Sequence, residues 1–438
     1  MDTSRETRQA HASRGSLLKN AAATGPEATL ARPGATLHTL LLYTACGTFL
    51  YAICAGFRDN YGIMLPYIVG FSGISYATVS LIIALGQLLF GAMQLVFGLL
   101  ALRTGARFTL YLGVLMMLAG LLLIPFSTSA PMLTLSLGVL LPSGTAAASF
   151  GMIMGLLSPK FSTNQAHTAA GFVAAGIGMG ICFLSPVIQS VIAAHGLFNA
   201  VLVLTAPLIM LFPVSYMLTR DAPMPRKAGQ AAGVPAQSAA ATADGPVSVK
   251  EMFRQAFLSG TYRRLTLGFF TCGFHMAMIQ THLFSQLTNF GVSERAAAYA
   301  ISTYGIGVIC GGVGSGQACA RFSMSRVASL LYASRCLWVV LLLLPLPLPV
   351  LFAVIFMLGA TGPATIAPTS GMVQKLFGSM RLPTLFGFVY LMHQIGAFCS
   401  AWAGGLCRQI TGSYSGVWYA DIALCFIAAI ACWGIKKE

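Results

Sequence analysis

Charge is what this chain has least of. Of its 438 residues only 8% are Asp, Glu, Lys or Arg, and just ten are acidic. A soluble domain carries about 25% charged residues, so a soluble globular fold is excluded. Ten-residue segments of alternating polarity are missing too, which argues against a membrane β-barrel. The eleven cysteines form no C-x-x-C pair and lie almost all in apolar runs, where they read as small packing residues. H-E-x-x-H, G-x-S-x-G and phosphate-loop patterns are absent, and no cofactor or enzymatic activity is expected. His275 and His282 stand about two helical turns apart, so a metal site between them is not expected either. Nor is a cleavable leader: residues 1–36 are polar and basic, and the first apolar run is too long for one.

What is present is hydrocarbon, 57% of the residues. Long apolar runs indicate an all-α membrane protein. Twelve spans are expected, at about 37–69, 76–101, 108–126, 131–157, 167–193, 197–219, 262–289, 295–318, 326–345, 348–375, 382–407 and 414–435. Residues 1–36 read as a disordered tail, 37–219 as one six-helix bundle and 261–438 as another. Between the bundles, 220–260 begins as an Ala/Pro/Gly-rich linker. It ends with a capping box at Ser248-Val249-Lys250-Glu251, which predicts a short amphipathic surface helix. Placing the tail in the cytoplasm puts 22 of the 25 basic residues inside, leaving Arg58, Arg295 and Arg408 elsewhere. Arg335 is counted with the inside loops. The bias fixes both termini as cytoplasmic and accounts for the net charge of +15 without nucleic acid.

The two bundles repeat. A shift of 216 residues lays Gly171-Phe172-Val173 on Gly387-Phe388-Val389 and Gly180 on Gly396. A shift of 217 lays Gly56-Phe57-Arg58 on Gly273-Phe274-His275. Two halves in one orientation are therefore expected to be related by an axis along the membrane normal. Arg58 and His275 then fall at matching depth on opposite walls.

Arg58 lies inside the first apolar run, where an arginine costs roughly 2.5 to 3.5 kcal/mol. Facing a polar path or snorkelling to the interface would relieve that cost; the apolar run Ile63–Val69 beyond it favours the path. Tyr51 and Tyr61 share its face. Asp59 points about 100° away, so it is expected to meet a neighbouring span or a proton rather than Arg58. On the seventh span Thr271, His275, His282 and Gln286 form one stripe. A histidine titrates near 6.5, so His275, and less readily His282, is a candidate proton carrier, with a hydrogen-bonded core role as the alternative. His393 and Gln394 are candidates to border the cavity. Asp421, the other acid within a span, is expected near the outer third of the twelfth. Gly151/Gly155, Gly176/Gly180, Gly307/Gly311 and Gly312/Gly316 are candidate helix contacts, and Pro363 and Pro368 predict a bend.

Gly98-Leu99-Leu100-Ala101-Leu102-Arg103-Thr104-Gly105-Ala106-Arg107 resembles the loop signature of the major facilitator superfamily, with a degenerate copy at Gly316–Phe322 that includes Arg321. Arg58–Pro66, Cys272–Leu283 and His393–Phe398 resemble the first, seventh and eleventh spans of bacterial monocarboxylate and oxalate/formate porter-like members. The resemblance implies twelve helices in two pseudo-symmetric bundles that expose a central site alternately to each side. It implies a secondary transporter of a small organic anion in the inner membrane, coupled to a proton or a counter-anion and acting as a monomer among membrane lipids. Arg58, Tyr51, Tyr61, His275, His393 and Gln394 would bind substrate. His275, Asp59 and His282 would move the proton. Gly98, Arg103, Gly105, Arg107 and Arg321 would form the gating loops. The family's acidic loop position is Leu102 here and Ala320 in the copy, so its charge latch does not carry over. The alternative is an efflux carrier for lipophilic cations or drugs, which needs an intramembrane carboxylate that only Asp59 or Asp421 offers.

Overall fold

A computed structural model describes residues 35–221 and 249–435. The described residues form helices and short connections, with no strand among them. Ten helices are long and apolar enough to cross a membrane. One of these, Asn164–Thr219, has 56 residues and turns at Gly196, where φ is 70°, so it serves as the fifth and sixth spans. Gly260–Asn289, 30 residues long but richer in Thr, His and Gln, stands where the seventh is expected. The arrangement is consistent with twelve. The tail, the linker over 222–248 and the capping Ser248 lie outside the described residues.

The first span is broken, where the sequence predicted one continuous run. Leu37–Asp59 ends at Asn60 (φ −109°, ψ 14°) and Tyr61–Ser72 begins anew. Asn60 causes this itself: its Nδ2 donates to Gly56 O at 2.7 Å, taking the carbonyl that a continuing helix would use. Ser185 Oγ donates to Asn60 Oδ1 at 2.7 Å, which ties the break to the fifth span.

The repeat appears as one helix crossing made twice. A Cβ on Gly180 would lie 2.0 Å from Ala52 O, and one on Gly56 would lie 2.8 Å from Gly180 O. In the second half a Cβ on Gly396 would lie 2.1 Å from Phe270 O, and one on Gly273 would lie 1.8 Å from His393 O. The residues matched by the 216 and 217 shifts thus make equivalent backbone contacts. Of the four small-residue pairs, Gly176/Gly180 and Gly307/Gly311 sit in such contacts, whereas Gly151/Gly155 and Gly312/Gly316 face open space.

The amphipathic helix is present as Val249–Leu258. Its apolar face rests on protein, not lipid: Met252 and Ala256 are buried, and Phe253 and Phe257 meet Phe388 edge-on. At the end of the sixth span Tyr43 donates to Asp221. That hydrogen bond, with Lys160 and Arg220 nearby, holds the Asp221 carboxyl below the usual range. The tie is therefore complete at neutral pH and lost only as pH falls through that lowered value.

Candidate functional site

Arg58 ends the first helix of span one, buried as expected, and Asp59 next to it is its partner. Arg58 Nε donates to Asp59 Oδ1 at 2.7 Å, with the side chains 10% and 0% exposed. This corrects the expectation that Asp59 would turn elsewhere. The Arg58 side chain is long enough to reach round to its neighbour, and its guanidinium carbon lies 4.1 Å from the centroid of the Phe90 ring. The terminal nitrogens of Arg58 make no hydrogen bond among the described residues. Tyr51 precedes the break at Asn60 and Tyr61 follows it, so the two tyrosines stand on different helices of the first span. Tyr61 Oη and Asp59 Oδ2 are buried without partners.

From the other half, Tyr390 comes within reach of Arg58 and Tyr304 within reach of Asp59. Neither was expected. Gln394 also bridges the halves, its Nε2 donating to Gln87 O at 2.8 Å. His393 Nδ1 meets Gln394 Oε1 at 3.0 Å, and its ring stacks on Tyr390 with centroids 5.4 Å apart. His393 and Gln394 thus stand at the junction of the halves.

His275, which the 217 shift lays on Arg58, has a carboxylate partner of its own. It is fully buried, with Nδ1 2.7 Å from Asp421 Oδ2 and no partner for Nε2. Asp421 is fully buried, in the first half of Ser415–Trp433. Cys425 completes a cluster whose ligand atoms fall within 4.8 Å of one another, a grouping the spacing of two histidines could not reveal. His282 is satisfied on both nitrogens, with Tyr76 Oη 3.2 Å from Nδ1 and Ala401 O 2.8 Å from Nε2, so its geometry is that of a core histidine. On the same stripe Gln286 accepts from Trp418 Nε1.

Arg335 is the residue the sequence reading misplaced. It belongs to no loop; it lies in the middle of Met324–Leu342 and is completely buried. The cost argument applied to Arg58 would have found it, since it lies nine residues past Arg326 in an apolar run.

In the loop motif, Gly105 takes φ 91° between the second and third spans. Arg107 bonds Thr219 Oγ1 and Thr219 O at 3.2 Å each and lies over Tyr216. Arg103 and Arg321 are exposed, and Gly98 has open space beside it. None of these arginines meets a carboxylate among the described residues, in keeping with Leu102 and Ala320 at the acidic positions. An apolar hollow of about 580 Å³ opens on the outer flank between spans one and five, lined by Leu40, Phe49, Phe172 and Phe183; it shares no lining with the polar residues.

Residues 45–288 match the sequence model of the Major Facilitator Superfamily. The chain is 24% identical over 385 residues to the uncharacterized MFS-type transporter YcxA of Bacillus subtilis (strain 168), covering 84% of this chain and 88% of the relative. It is 25% identical over 372 residues to monocarboxylate transporter 13 of Rattus norvegicus, covering 84% and 82%. Among solved structures, a peptide transporter POT in complex with sulfate superposes with a TM-score of 0.70 at 13% identity, covering 90% of this chain and 94% of that one. A D-xylose-proton symporter does so with 0.68 at 12%, covering 91% and 98%. A bacterial homologue of the human lysosomal transporter Spinster, inward-facing and unoccupied, gives 0.66 at 16%, covering 92% and 100%.

Proposed function

This chain belongs to the major facilitator superfamily, and from that premise we propose that it is a secondary transporter of a small, monocarboxylate-like organic anion. It works by alternating access in the cytoplasmic membrane with both termini inside, as a carrier and not an enzyme. One observation carries the reading: the buried guanidinium of Arg58 spends only Nε on Asp59 and keeps its two-nitrogen end for another acceptor. That end matches a carboxylate, which accepts two parallel N–H bonds. Tyr51 and Tyr61 stand beside it to orient the anion. The printed name of monocarboxylate transporter 13 points the same way.

Charge balance supports proton coupling. The buried charged residues are Arg58, Asp59, Arg335 and Asp421, two of each sign. With His275 neutral the interior carries no net charge, so an entering anion needs a compensating proton or a departing anion. His275, held by Asp421, is the group proposed to take that proton. Both intramembrane carboxylates are held by a base, which leaves the lipophilic-cation alternative without a free acid. Proteoliposomes loaded at different internal pH and given labelled lactate, formate or oxalate test the reading. Accumulation of at least one label, driven by a pH gradient or by counter-anion, is expected. Flux of none of them, alongside flux of a lipophilic cation, would overturn it.

A further inference from the structure

The tenth span breaks at Gly362, and a cation from the ninth fills the break. Gly362 (φ −60°, ψ −90°) precedes Pro363, whose ring nitrogen has no N–H to continue the ladder. Arg335 takes the carbonyls released there. Its Nε donates to Thr361 O at 3.0 Å, and its Nη2 to Thr361 O at 2.5 Å and to Gly362 O. Thr365 Oγ1 lies 3.3 Å from the same Nη2, and the guanidinium carbon lies 4.9 Å from the Tyr332 ring centroid.

A structural clasp accounts for those bonds but not for what is left over. No carboxylate lies within ion-pair distance of Arg335 among the described residues; Asp59 is held by Arg58 and Asp421 by His275. Among the described residues Arg335 Nη1 is buried without an acceptor, and so is Tyr304 Oη. Both donors adjoin the same glycine: Arg335 bonds Gly362 O, and a Cβ on Gly362 would lie 3.2 Å from Tyr304 Oη. Two buried donors without a hydrogen-bond partner among the described residues, one of them charged, thus adjoin Gly362, where an added Cβ would also lie 3.2 Å from Leu358 O and 3.7 Å from Gly359 O. Leaving such groups unmet costs more than an ordinary hydrogen bond contributes.

We propose that Arg335 Nη1 and Tyr304 Oη form a second anion-holding point at the Gly362 break, where they receive a carboxylate oxygen of the transported anion. The point rests on the anion-carrier reading above and adds a contact from the second half. No bond is made or broken; the anion supplies only the missing acceptor.

Tyr304→Phe is the discriminating variant, because the hydroxyl it removes bonds nothing in the structure. The full-length protein is purified in detergent and its thermal midpoint followed against lactate, oxalate and sulfate, with chloride as the ionic-strength control. Wild type should rise with at least one of the two carboxylates. Tyr304→Phe should melt with wild type in chloride yet need roughly tenfold more of that carboxylate for the same rise. Arg335→Lys, which retains charge and loses the fork, should weaken the response at least as much. Wild-type titration by Tyr304→Phe, or no response of wild type to either carboxylate, overturns the proposal. The two readings fail separately. Anion binding that Tyr304→Phe weakens, in a protein that moves no label across a bilayer, keeps the holding point and sinks transport. Flux lost in Arg58→Lys at normal membrane expression, with Tyr304→Phe titrating as wild type, does the reverse.

Discussion

Arg58 and Asp59 show how far one residue's role depends on its neighbour's. Removing the arginine alone strands a buried carboxylate, at about 3 to 5 kcal/mol, so lost activity in Arg58→Ala would confound binding with folding. Arg58→Lys is the cleaner variant: charge is kept, the two-nitrogen fork is lost, and uptake efficiency should fall roughly tenfold or more with normal membrane expression. Unchanged uptake would remove Arg58 from the site. Asp421→Asn leaves His275 without its carboxylate. Uptake driven by a pH gradient should then fall further than exchange measured at equal pH on both sides, and a parallel fall would deny the pair its proton. The burial of Arg58 was legible in the sequence because it sits inside an apolar run, whereas the face shared with Tyr61 assumed a helix that Asn60 breaks. Asp421 and Arg335 were not legible, because what they meet comes from other spans.

At the scale of helices, the Gly56–Gly180 crossing and its counterpart at Gly273–Gly396 hold the first span against the fifth and the seventh against the eleventh. Gly180→Ala would push a methyl to 2.0 Å from Ala52 O. Overpacking of this kind costs typically 1 to 3 kcal/mol, and a lowered midpoint in detergent is the expected result; an unchanged one would mean the crossing can relax. Asn60 acts on the same scale. Hydropathy saw one run from 37 to 69 because the residues on both sides of Asn60 are apolar. The break comes from a side-chain amide outcompeting the ladder, which no window average registers. The bend at Pro363 was legible, since a missing N–H is a property of the residue itself.

Across the whole molecule, bonds between the halves gather toward one end. Tyr67 Oη donates to Glu294 at 2.6 Å, Tyr414 Oη to Tyr76 Oη at 2.7 Å, and Ala77 N to Gln409 Oε1 at 3.0 Å. These lie at the ends of spans opposite Arg103 and Arg321. Opening that end is required if the halves rock. A short thiol crosslinker joining Ala77→Cys to Gln409→Cys, with the native cysteines replaced, should therefore stop uptake, and cleaving it should restore uptake. Full uptake in the crosslinked protein would rule out opening at that end.

Composition and repeat settled much before any coordinates: a chain so poor in charge has to lie in a bilayer, and an offset near 216 makes two like halves of it. Lipid accepts only closed backbone hydrogen bonding, so long apolar runs leave helices as the single solution. Which buried charges pair, and which nitrogens are left over, was decided only by the packing of separate spans. Ion pairs and orphaned donors are set by distances of a few ångströms between residues from one to 146 positions apart, and linear order carries no record of those distances.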